Sequence, residues 1–166
     1  VLTDAPTRSG PGKPRVVAAL RAGAEASLAS AQRAQARAHD EATSGESKAE
    51  SKYDTRATEA SYLARGQAER VADLRILVAW YKRLPPEDTQ TQVSLGALVT
   101  LYGDSGDTHL FVAPVGGAQV EIEGQVVKTI SLSSPLGTAM KGMEAGDDFK
   151  VQSPDGVLER EIVAVG

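Results

Sequence analysis

Residues 71–102 read VADLRILVAWYKRLPPEDTQTQVSLGALVTLY, and a change of rhythm inside them decides the fold. In the first half Val71, Leu74, Val78 and Tyr81 are spaced three and four apart, the repeat of one helix face. Pro85 and Pro86 end that helix at about Leu84, because proline lacks the N–H and clashes with the preceding turn. Residues 85–92 are polar and read as a linker. From Val93 onward the apolar period is two, the mark of strands.

Upstream, the helical seam continues through Tyr53, Ala57, Ala60, Ala64 and Gln67. Before it, Thr43–Lys48 (TSGESK) is small and polar around Gly45, a turn signal. Before that, Arg15 to about Ala42 carries no proline. Val17, Ala24, Ala31 and Ala38 recur every seventh residue there, with Leu20, Ser27 and Ala34 at the alternate position. Two such runs joined by a short turn predict an antiparallel coiled-coil hairpin over residues 15–84. At 1.5 Å per residue it is ~45 Å long. The large apolar residues crowd the open end, at Val17, Leu20, Leu74, Val78, Trp80 and Tyr81, and the seam thins to alanine toward the turn. Residues 1–14, with three prolines and two glycines, read as a disordered tail.

Downstream, strands are predicted at Val93–Tyr102, His109–Val115, Ala118–Ile122, Val126–Leu132, Asp148–Gln152 and Leu158–Val165. Ser134–Gly142 reads as a short helix, with Ser134 as its cap and Pro135 in its first position. Residues 93–166 therefore form a small β-rich domain with one short helix, and the chain is α+β.

Composition narrows the function. Without cysteine there is no disulfide and no thiolate metal site, which fits a cytoplasmic protein. No apolar run approaches the roughly 20 residues that cross a bilayer. A net charge of −4 argues against coating free nucleic acid through phosphates, so any work on RNA is expected to run through a protein partner. The P-loop, HExxH and GxSxG patterns are absent, so no enzyme active site of its own is expected.

The run SLSSPLGTAMKGMEAGDDFKVQSPDGVLEREIVAV (residues 131–165) resembles the end of the GreA/GreB transcript cleavage factors. The carrying features are Ser134-Pro135, Gly142 with Ala145-Gly146-Asp147, and Ser153-Pro154-Asp155-Gly156. Tyr53–Ala57 and Ala64–Leu74, with Gly66, resemble the second hairpin helix of that family. The resemblance covers residues 15–165 and implies an FKBP-like fold for the C-terminal domain. It also implies a monomer that docks on bacterial RNA polymerase and passes its hairpin through the secondary channel. There, carboxylates at the tip help hold Mg²⁺ of the polymerase active centre while backtracked RNA is cut; RNA is met only inside that complex, and no cofactor is the chain's own.

The family tip resembles Asp-Leu-Ser-Glu-Asn-Ala-Glu-Tyr. Here the stretch is Glu46-Ser47-Lys48-Ala49-Glu50-Ser51-Lys52-Tyr53: the first acid falls on Glu46, the second on Ala49 with Glu50 beside it, and the Asn is not reproduced. The candidate catalytic residues are therefore Glu46, Glu50, Asp40 and Glu41, with Glu46 and Glu50 the candidate Mg²⁺ ligands and Asp54 close by. Acids beside a helix N-terminus also stabilise the helix without any chemistry. Ser133, Ser134 and Pro135 stand where the family meets the polymerase, and a plain helix cap explains Ser134 as well. Two functions stay open. One is a transcript cleavage stimulator, favoured by the acids. The other is a secondary-channel regulator without cleavage activity, favoured by Lys48, Lys52 and the missing Asn. A prolyl isomerase would need an aromatic-lined pocket, and the β domain offers only Tyr102, Phe111 and Phe149.

Overall fold

The computed structural model describes residues 10–46, 55–85, 87 and 89–166. The chain groups into two compact units: the chain up to Leu20 with Leu84–Gly166, and Arg21–Arg83. The fold is α+β, a helical hairpin followed by a mixed six-stranded sheet with one short helix.

Helix α1 spans Lys13–Glu46 and α2 spans Thr55–Arg83. Helix α1 thus passes through the predicted turn as far as Glu46. Thr43 lies inside that helix, and its Oγ1 donates back to the carbonyls of His39 and Asp40, at 3.0 and 3.1 Å, so its hydroxyl is satisfied there. The turn placed at Thr43–Lys48 is corrected to that extent; Ser47–Asp54 lie outside the described residues. Lys82 and Arg83 sit in the last turn of α2, where cations oppose the helix dipole. The seventh-residue series Val17, Ala24, Ala31 and Ala38 is buried throughout. On α2, Val71, Leu74, Val78 and Tyr81 are buried. In the Arg21–Arg83 unit, Ala31, Val71 and Leu74 pack together with Leu28, a residue outside the seam pattern. Lys82 on α2 reaches Glu25 on α1 at 3.5 Å.

The strands are β1 Leu98–Gly103, β2 Gly106–Val112, β3 Gln119–Ile122, β4 Gln125–Ile130, β5 Asp148–Ser153 and β6 Gly156–Val165, with α3 at Pro135–Met140. Their order in the sheet is β3-β4-β2-β1-β6-β5, and only β2 and β4 run parallel. The strand predicted from Val93 starts five residues later. Gly96 has φ 91°, which breaks the extended run, and Val93 pairs instead with the segment after α3, accepting from Gly142 N and donating to Met143 O. Val99, Leu101, Leu110, Val112, Phe149 and Ile162 face one side and pack with Met140 of α3. By the two-residue alternation, Leu98, Thr100, His109 and Phe111 occupy the other face, and all are buried. Gly10 lies against that second face: a Cβ there would be 2.9 Å from Thr100 Oγ1 and 3.3 Å from His109 Nδ1. Pro11, Val16 and Leu20 are buried as well. Part of the stretch read as a tail is therefore ordered and covers the sheet.

Candidate functional site at the hairpin tip and the start of the short helix

Asp40 and Glu41 are exposed on α1, six and five residues before its end at Glu46. Ala38 marks the seam, and at 100° per residue Asp40 points away from it while Glu41 flanks it. Consecutive residues on a helix diverge, so these two carboxylates do not converge on one point by themselves. Glu46 closes α1; its side chain, and Glu50 and Asp54 entirely, lie outside the described residues. Exposed carboxylates are the hard oxygen donors that Mg²⁺ takes. Among the described residues, no three His, Asp or Glu side chains are grouped to hold an ion unaided.

His39 lines a groove of about 390 Å³ with Gln32, Gln35, Ala36, Ala64 and Ala68. Sequence reading had no means to see it. The groove exists because small residues of α2 face the glutamines of α1, and that requires the pairing register of the two helices.

At the other candidate site, Ser134 is the N-cap of α3. Its Oγ accepts from Gly137 N at 3.0 Å and donates to Ser131 O at 2.7 Å. Pro135 fills the first helical position, where its missing N–H costs nothing. Ser133 Oγ and Ser131 Oγ lie 3.0 Å apart. Ser133 and Pro135 are exposed, whereas Ser134 is committed to the cap. Gly137 permits the tight turn: a Cβ there would fall 2.1 Å from Ser131 O.

Residues 88–166, which hold the whole sheet and α3, match the family described as Transcription elongation factor, GreA/GreB, C-term. The C-terminal domain is of the GreA/GreB type. Among curated relatives, Transcription elongation factor GreA of Thermoanaerobacter pseudethanolicus is 29% identical over 116 residues, 69% of each chain. The GreA of Cereibacter sphaeroides strain ATCC 17025 is 27% identical over 96 residues, 58% of this chain and 60% of the relative. That of Allorhizobium ampelinum is 35% identical over 75 residues, 45% of this chain and 46% of the relative. The chain thus spans about 60 to 69% of the length of the GreA relatives it matches first. Among solved structures, GreA factor homolog 1 (Gfh1) of Thermus thermophilus overlays with a TM-score of 0.38 at 19% identity, covering 88% of this chain and 94% of that one. GreA/GreB from Nitrosomonas europaea gives 0.34 at 27% identity, covering 55% and 78%. Overlays this loose add nothing to the sequence match. Two helices, α1 and α2, precede the matched sheet in the chain. No helix among the described residues is long and apolar enough to cross a membrane.

Proposed function

We propose that this chain binds bacterial RNA polymerase, enters its secondary channel with the hairpin, and stimulates cleavage of backtracked RNA with the acids of the tip. The observation that carries the reading is the GreA/GreB match over residues 88–166, joined to a hairpin whose far end bears Asp40 and Glu41. The exposed Ser133 and Pro135 at the start of α3 supply the polymerase contact.

Glu46 and Glu50, with Asp40 and Glu41 in support, would contribute carboxylate oxygens to Mg²⁺ of the polymerase. That ion supplies charge stabilisation for the attacking and leaving oxygens of the displacement. The residues of this chain bring negative oxygens to the place where a water must be oriented, and their burden is light because Mg²⁺ keeps several waters of its own. The chain then needs no active site of its own, and it works in the cytoplasm as a monomer.

A second reading has one specific support: Lys48 and Lys52 lie among the tip acids and weaken their field. On that reading the chain occupies the channel and regulates nucleotide entry without promoting cleavage. The variant Glu46→Ala/Glu50→Ala separates the two. The first reading expects it to lose stimulation while holding the polymerase as tightly as the wild type. Full stimulation in that variant would move the chemistry to Asp40 and Glu41, which Asp40→Ala/Glu41→Ala then tests.

A further inference from the structure

Among the described residues, Glu123 is the one non-glycine with positive φ, at 53°. With Gly124 at 79° it forms the two-residue turn between β3 and β4. Both central residues in the left-handed region is the geometry of a type I′ hairpin, whose first position favours Asn, Asp or Gly. Glutamate has no Asx-type local bond to offset that conformation, so the turn alone does not account for it. Its carboxylate is paired with Arg15, in the first turn of α1. Residues 15 and 123 are 108 apart in sequence, and both side chains are about two-thirds exposed. A second fixed point lies just ahead of the helix, where Gly10 is seated against Thr100 and His109.

We infer that Glu123 occupies the turn for its carboxylate, which with Arg15 pins the first turns of α1 to the β3–β4 corner of the sheet.

The two roles of Glu123 make opposite demands, and Glu123→Asn separates them. Asparagine suits the turn better and removes the clasp. Hydrogen exchange on the full chain is expected to show amides of residues 15–20 exchanging about threefold faster, the size of an exposed ion pair, while amides of the β3–β4 turn exchange no faster. Arg15→Gln gives the same change in α1, and the charge swap Arg15→Glu/Glu123→Arg reverses it. Unchanged α1 exchange in both single variants overturns the inference and leaves Glu123 a turn residue only.

Discussion

The two units are held together by different means. The sheet unit contains every one of the most completely buried large residues among those described, including Phe111, Leu101, Met140 and Ile162. The Arg21–Arg83 unit buries Val71, Leu74, Val78 and Tyr81 at the C-terminal end of α2 and otherwise three alanines of α1. From Thr58 to Arg70, α2 has no buried residue among those described. Tyr62 and Leu63 even stand 70% and 53% exposed there. A close alanine seam keeps the rod thin at the expense of buried area, at roughly 25 cal/mol per Å². The lesson is that residues 58–70 of α2 can change at little cost in stability, so sequence there is free to follow function.

The largest contrast is expected from two core truncations. Phe111→Ala leaves a large cavity in the sheet unit and should cost about 3–5 kcal/mol in denaturant unfolding. Leu74→Ala sits in a seam that is open on both flanks and should cost about 2 kcal/mol, the low end for such a change. Equal costs would show that the hairpin has a core as dense as that of the sheet.

Next comes the start of α3. Gly137→Ala forces a methyl against Ser131 O and should cost about 1–3 kcal/mol, read as a drop in Tm. Ser134→Ala removes the cap and should cost about 1 kcal/mol. Ser133→Ala, on an exposed hydroxyl, should stay within about 0.5 kcal/mol, so any loss of polymerase binding in it reports contact rather than folding.

Much of this was legible from the chain, and the reasons differ by region. The period of α2 and the stop at Pro85 needed only local rules, and the cap at Ser134 is likewise a local bond. The early start of a strand at Val93 was misread because its apolar alternation is real, yet Gly96 turns the chain and long-range bonds to Gly142 and Met143 take Val93 elsewhere. Gly10 against Thr100 and His109 was invisible for the same reason: a Pro- and Gly-rich stretch looks featureless until its partner, ninety residues on, is in place. The site divides in the same way. Asp40 and Glu41 could be put near the end of a helix from sequence, but the Arg15–Glu123 pair could not be found without the fold.

The smallest effect concerns that second face of the sheet. Burial holds His109 below its ordinary value, with Asp107 opposing. Its neutral ring shares a hydrogen bond of 3.1 Å with Thr100. A depressed histidine binds its proton more readily unfolded than folded. Its contribution is therefore complete above the unfolded value of about 6.5 and is lost as pH falls from there through the folded value. His109→Gln should flatten that part of the stability profile, whereas hairpin variants such as Leu74→Ala should leave its slope unchanged.

The most direct test of the central claim is RNA cleavage in a stalled, backtracked elongation complex with Mg²⁺, with and without this protein. The account predicts shortened RNA that depends on the factor and is lost in Glu46→Ala/Glu50→Ala. Unshortened RNA, with the factor demonstrably bound to the polymerase, would contradict it and make the chain a channel regulator that keeps the shape without the chemistry.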